Sequence, residues 1–382
     1  MNREIAQTKR ITDSQLFTGV IKFVALKVFA AAVISCFLCT AVLMADDDKD
    51  AFLPSQVRAV STVPGNGDVN PYGVAFVPPG FPTGGTISPG DILVSNFNNS
   101  SNLQGTGTTI VDVPPAAPVF QFFGGTAPLG LTTALNVLKK GFVLVGNFPS
   151  TDGSLGTAMA GSILVIDKNT NVISTYTDSS VQGPWDSTLF DEGGRALYFV
   201  ANALNGTIVR YDLDVDSSGV TFEHPTVIAS GYQHDADMVT FVDAPTGLVY
   251  DPSKDVLYVA SSQDNAVYAV RDAGDRKHDG GVGTLIYQDP KHLHGALGLA
   301  MAPNGHLLVT NNDSPAINPD ANQPSELVEF TVDGHFVKEI SLDPTPGGSF
   351  GLAVERMGKT AKLAAVDDSV NLFLIWTLKA GE

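Results

Sequence analysis

Three of the chain's seven histidines stand where they could do chemistry. His234 sits in "HDAD" beside Asp235 and Asp237, and His292 and His294 come just before an apolar run. A neutral imidazole among carboxylates can ligate zinc or act as a general base. His294 and His234 are therefore the catalytic candidates, His294 first. The histidines lack a paired ligand spacing, so no metal set is assigned to them. A second acidic pattern, "DLDVDSSGVTFE", places Asp212, Asp214, Asp216 and Glu223 at positions one, three, five and twelve of a calcium loop. Ser217 stands where such a loop needs glycine and no helix flanks it, so a solvated hairpin turn is expected instead. Calcium or zinc is the cofactor class left open; none is assigned.

A third pattern, "AVERMGKT" (353–360), matches a phosphate loop if alanine replaces the first glycine. Phosphate loops cradle their anion with successive backbone N–H groups and the start of a helix. Here Gly358 is the only glycine of the segment, and β-rich sequence follows rather than a long amphipathic helix. ATP or GTP binding is rejected on that context.

The elements that must position these residues begin after a leader. Residues 1–45 carry Arg3, Lys9, Arg10, Lys22 and Lys27, then the uncharged run "VFAAAVISCFLCTAVLMA", and "DDDKD" follows. This is the layout of an export signal, with cleavage after Ala45 or Ala41 expected. Retention as a membrane anchor and lipid attachment at Cys36 are the alternatives, and the only routes to a membrane. The protein is therefore expected in the periplasm or secreted, with 46–51 as an acidic linker. Both cysteines, Cys36 and Cys39, lie in the leader, which removes disulfides, thiol nucleophiles and zinc–thiolate sites from the exported part.

The leader holds five of the 22 basic residues and two of the 40 acidic ones, so the rest carries 17 against 38, a net charge of −21. Such a surface repels nucleic acid and anionic lipid.

Within residues 52–382 a unit recurs six times: an apolar run after a glycine, a turn, a second apolar run ending in a small residue plus Asn, Ser or Asp, then a third run. The pairs run from "YGVAFVPPG" with "DILVSN" to "FGLAVERMG" with "AKLAAVD". The closing polar residues are Asn96, Asn147, Asn202, Ser261, Asn311 and Asp367, at intervals of 51, 55, 59, 50 and 56. Short runs rich in Val, Leu, Phe and Tyr, bounded by Gly, Pro, Asn and Asp, are strands joined by hairpins. A four-stranded unit of this period predicts an all-β fold, a six-bladed β-propeller in one domain. The sixth copy lacks an outer strand, and "SQVRAVSTV" (55–63) precedes the first copy unassigned, so an N-terminal strand is expected to close the last blade.

The polar residues would then ring one face as a collar. Each amide can cap its own turn, and the ring can also hydrogen-bond a neutral ligand at the channel mouth. Long loops at 149–162, 231–246 and 312–326 are expected on that same rim, where propellers carry function. The sequons at Asn98, Asn99, Asn205 and Asn312 matter only in a eukaryotic secretory pathway.

"GALGLAMAPNGHLLVTNND" resembles an NHL repeat, and residues 52–378 resemble the NHL and gluconolactonase-like group of six-bladed propellers. "QGPWDSTLFDEGGRALYFVANALNGTIVRYDLDVDSSG" (182–219) looks like a gluconolactonase-family blade. The resemblance implies lactonases, lyases and pure binding modules alike, so the fold leaves function open. It also implies a metal held by a Glu before "GP", by the Asn of an Asn-Gly and by a strand-end Asp. Here those positions hold Gln182, Thr246 and Ser261, which argues against that metal site. The expectation is a monomeric binder of a small molecule, peptide or protein at the loop-rich rim; a hydrolase or lyase working in the channel is the alternative.

Overall fold

The structure is a computed structural model that describes residues 58–237, 239–312, 317 and 323–380. The leader and most of the 312–326 loop lie outside these residues.

Six antiparallel sheets of four strands follow one another along the chain. Blade one holds β2 (Val69–Phe76), β3 (Ile92–Asn98), β4 (Thr109–Val113) and β5 (Phe120–Gly124). Blade two holds β6 (Leu131–Leu138), β7 (Phe142–Asn147), β8 (Ser162–Asp167) and β9 (Val172–Tyr176). Blade three holds β10 (Pro184–Asp191), β11 (Arg195–Asn202), β12 (Thr207–Val215) and β13 (Val220–Ser230). A small hairpin, β14 (Asp235–Asp237) with β15 (Phe241–Asp243), precedes blade four. Blade four comprises β16 (Pro245–Asp251), β17 (Val256–Ser261), β18 (Ala266–Arg271) and β19 (Thr284–Tyr287). Blade five comprises β20 (Ala296–Met301), β21 (Leu307–Asn311), β22 (Ser325–Phe330) and β23 (Phe336–Asp343).

Blade six has β24 (Ser349–Met357), β25 (Thr360–Asp367) and β26 (Leu372–Lys379), and its fourth strand is β1 (Arg58–Ser61). β1 pairs with β26 from Arg58↔Ile375 to Ser61↔Leu372, the closure expected from the repeats. A strand from each end of the domain thus covers what would be an open sheet edge.

The inner strands β2, β6, β10, β16, β20 and β24 neighbour one another in turn, and β24 returns to β2. The repeat's glycine is what lets them approach. A Cβ on Gly73 would stand 3.0 Å from Thr132 O, on Gly247 2.4 Å from Leu297 O, on Gly298 2.4 Å from Phe350 O and on Gly351 1.8 Å from Tyr72 O. At Gly247, Gly298 and Gly351 a side chain would collide with the next blade's carbonyl. Hydroxyls tie the same seam: Ser95 Oγ accepts the Gly73 N–H and donates to Thr132 O (2.8 Å), while Thr310 accepts the Gly298 N–H and donates to Phe350 O (2.6 Å).

The hairpin patterns fall where the repeats put them. β24 and β25 are joined at Gly358 (φ +64°) and Lys359, with Met357 paired to Thr360, so "AVERMGKT" is a strand and a tight turn with no helix after it. The calcium-like pattern is the β12–β13 hairpin: Asp212 pairs with Glu223, and Asp216 caps the turn through the N–H groups of Ser218 (2.7 Å) and Gly219 (3.2 Å). Among the described residues no helix is long and apolar enough to cross a membrane.

Candidate functional site

The two ends of the axis are built differently. At the end where inner strands begin, the collar residues pair with them: Pro71↔Asn96, Leu131↔Asn147, Pro184↔Asn202, Pro245↔Ser261, Ala296↔Asn311 and Ser349↔Asp367. All six are buried, and most of their polar atoms bond nearby chain, although Asn96 Oδ1 and one oxygen of Asp367 have no hydrogen-bond partner among the described residues. Asn147 accepts the Gly130 N–H (2.9 Å) and donates to Ser162 Oγ (3.1 Å). Asn202 accepts the Gln182 N–H (3.0 Å) and donates to Ser180 O (2.9 Å). Asn96 donates to Thr62 O (3.2 Å), and Ser261 to Asp264 (2.7 Å). Burial, then the charge of Asp343, pushes Asp367 up to about 6 against its bonds from Ser369 and Val370.

Inside that collar the axis is filled by aromatic side chains. Tyr72 stacks between Phe97 (4.6 Å between centroids) and Phe350 (4.4 Å). Trp185 lies edge-on to Phe97 (5.2 Å) and Phe148 (6.0 Å) and stacks with Phe241 (6.0 Å). Phe241 comes from the β14–β15 hairpin, with φ +71°, a left-handed backbone that a bulky residue adopts only when packing holds it. All six rings are at most 4% exposed. The insertion at 231–246, expected as a rim loop, therefore supplies part of a plug.

At the other end, where the inner strands run out into their hairpins, the axis opens into a cavity of about 510 Å³. Its apolar wall includes Phe76, Leu248, Leu299, Met301 and Leu352; its polar wall, at the seam of blades two and three, includes Thr133, Asn136, Asp186, Ser187 and Thr188. Asn136 donates to Ser187 Oγ (2.7 Å), and Thr133 Oγ1 donates to the Trp185 carbonyl. At the mouth Lys139 Nζ donates to the Asp191 carbonyl (2.6 Å), and the Lys139 N–H to the Asp191 carboxylate (2.6 Å). The volume and the mix of apolar surface with a few converging polar groups are those of a small-molecule site.

Asp186 is the unusual member. By strand register it takes the place held by Gly73, Gly247, Gly298 and Gly351 in other blades and by Ala134 in blade two. It accepts a hydrogen bond from the Ser187 N–H (2.6 Å), and among the described residues no ion pair reaches it. Burial pushes its carboxyl up to about 8, countered only by that backbone bond. The side chain is half-buried and lines the cavity.

Neither candidate histidine lines this cavity. His234 is exposed, its Nδ1 3.2 Å from Tyr232 O. His294 is buried at the collar end of blade five, its N–H bonded to Asn311 Oδ1 (3.1 Å) and its Nδ1 3.4 Å from Glu326 Oε2. Burial, then the neighbouring Glu326, raises Glu339, while Glu326 is lowered because bonds from His294, Glu339 and Asn311 outweigh its burial. His292 bonds Asp289 (2.6 Å) and stacks on Phe336 (3.9 Å). His234 and His294 thus occupy separate blade connections. Among the described residues no group of three or more His, Cys, Asp or Glu is placed to hold a metal ion. Sequence reasoning missed Asp186, although the signal was present: "PWDSTLF" breaks a glycine that four of the six repeats keep. It also missed the connection 77–91, whose Pro78 lines the cavity.

No protein-family model matches the chain, and no curated protein matches it by sequence. Solved structures do. A Thermus thermophilus protein provisionally described as an oxidoreductase (glucose dehydrogenase) aligns with a TM-score of 0.50 at 12% identity, over 84% of this chain and 100% of its own. A calcium-binding regucalcin of Agrobacterium tumefaciens gives 0.49 and 12% over 84% and 93%, and a protein provisionally described as a gluconolactonase gives 0.48 and 11% over 85% and 94%. The Thermus likeness is one of fold, and it supports the six-bladed propeller that the repeats imply.

Proposed function

We propose that this propeller binds a small organic molecule in its axial cavity, from the end that carries the inner-strand hairpins. The observation that carries this is Asp186, a carboxyl in a position where the repeat has glycine, aimed into a space walled on its other side by aliphatic side chains. A carboxyl that breaks a structural repeat and gains only the adjacent Ser187 N–H as a partner points to function. The collar amides serve the blade turns, so the ligand belongs at the opposite end from them. The test is a thermal-shift screen of small molecules against the wild-type protein and Met301→Trp, which fills the half-buried mouth: hits must lose their stabilising effect in the variant. Hits that persist would move the site elsewhere.

The same carboxyl favours a second role. A group pushed up to about 8 holds its proton at neutral pH and suits general acid–base catalysis of hydrolysis or elimination. Turnover of a lactone, ester or glycan, lost in Asp186→Asn, would establish an enzyme; its absence across the screen leaves a binding protein. The apolar leader supports export, tested by a mature N-terminus at Asp46 in mass spectrometry.

A further inference from the structure

The cavity's chemistry narrows its ligand, an inference that rests on the binding role just proposed. We infer that the axial cavity takes an organic cation, a protonated amine on an apolar body, with the ammonium paired to Asp186 and the body laid along the aliphatic wall of blades four to six.

Three features of the walls support this. Asp186 is a carboxyl without a countercharge: among the lining residues the one cationic side chain is Lys139, which is exposed and tied at the mouth to the Asp191 carbonyl (2.6 Å). An uncompensated carboxylate in such a place is unfavourable, and a ligand that brings its own positive charge removes that cost. The neighbours offer an ammonium further acceptors: Thr133, Asn136, Ser187 and Thr188 carry oxygens on the same wall. Finally, Phe76 and Phe190 stand among the lining residues, and aromatic faces attract cations. The whole exported part, with its net charge of −21, draws cations toward it.

The other charged and titratable groups around the site do not supply the missing partner. Behind Asp186, Tyr198 on β11 is buried, and burial raises its phenol, so it stays neutral. Asp191 is engaged by the backbone of Lys139 and of Gly193. On β25, Lys362 is 3.9 Å from Glu355 and 6.0 Å from the centre of the Phe76 ring, at the mouth rather than at Asp186. Glu355 itself is raised by burial, against the pull of Lys362.

The test compares three probes of one shape and different charge, 4-phenylbutylamine, 4-phenylbutanol and 4-phenylbutanoate, by titration calorimetry on the full exported chain. The amine is expected to bind most tightly and to lose about 10- to 100-fold in Asp186→Asn, while the alcohol changes little. Because the ammonium needs the ionised carboxyl, its affinity should rise roughly 20-fold from pH 6.5 to 8.5, with proton release seen as a dependence on buffer ionisation heat. Asp186→Asn removes no volume, so it folds if the wild type does; Met301→Trp is the control for location. If the alcohol binds as well as the amine and both are lost in Met301→Trp, the cavity binds ligands but the cation inference is overturned. If amine affinity is untouched by Met301→Trp, the cavity itself is not the site and the proposed function falls with it. Tighter binding of the carboxylate probe would overturn the inference directly.

Discussion

The closed and open ends of this axis are made from the same six inner strands, and what separates them is which residues the repeat allows to vary. At the closed end the repeat is strict. An Asn, Ser or Asp ends each second strand, and the axis is packed with aromatic rings, one of them borrowed from the β14–β15 hairpin. At the open end the backbone is equally regular, but the side chains differ from blade to blade and a polar seam faces an apolar wall. Asn147, Asn202 and Asn311 share one local bond, each accepting a backbone N–H from the connection before its blade, which is a structural role, whereas the carboxyl that replaces glycine in blade three has no counterpart in the other five.

The sharpest way to break the comparison is to damage each end in turn. Trp185→Ala removes a fully buried ring that touches Tyr72, Phe97, Phe148 and Phe241, and should cost about 3–5 kcal/mol in urea denaturation. Met301→Ala, half-buried at the open mouth, should cost within about 1 kcal/mol. Equal losses at the two sites would mean that the cavity wall is part of the packed core.

A smaller effect separates the polar groups. Asn202→Ala strands the Gln182 N–H and the Ser180 carbonyl inside the collar, and a loss of about 1–3 kcal/mol is expected. Asn136→Ala faces the cavity, where water can replace the amide, so it should stay within about 0.5 kcal/mol. Reversal of that order would favour the collar over the polar seam as the place where a ligand binds.

Much of this division was written in the sequence, though unevenly. Strand positions, blade count and ring closure follow from the repeats, because hairpins and a two-residue period are local properties. The collar was legible for the same reason: Asn96, Asn147, Asn202 and Asn311 end equivalent strands. The plug was not, since it depends on how Tyr72, Phe148, Phe241 and Phe350 converge from distant segments, and pattern gives no radial distance. His294 and His234 drew attention by residue type, but their neighbours Glu326 and Tyr232 show two separate local settings. Asp186 was legible only as a missing glycine, and its meaning required knowing that the position faces the axis.

A pH series refines the contrast further. Asp186 is raised from the ordinary carboxylate range to about 8 in the folded protein, so its proton favours the native state. Its contribution is fully present below pH 4 and is lost as pH climbs toward 8, after which it is constant. Asp112, raised to about 8 by burial and then by Asp91, follows the same course and is common to both proteins. The stability difference between Asp186→Asn and wild type should therefore shift in favour of the variant between pH 5 and 8 and level off by pH 9, as read from paired urea titrations. A difference independent of pH would place Asp186 in ordinary contact with water and weaken the case for a sheltered seam.

The smallest effect concerns the open end's most nucleotide-like feature. Lys359 occupies the exposed turn between β24 and β25, where Gly358 takes a positive φ and the chain reverses at once into another strand. A phosphate needs several backbone N–H groups aimed at one point, and this turn instead pairs Met357 with Thr360 across the hairpin. Lys359→Ala should change stability by no more than about 0.5 kcal/mol, and ATP with magnesium should leave the melting temperature of both proteins unmoved. Stabilisation of the wild type alone would require an anion site at the open end, against a net charge of −18 and next to a cavity lined by the Asp186 carboxyl.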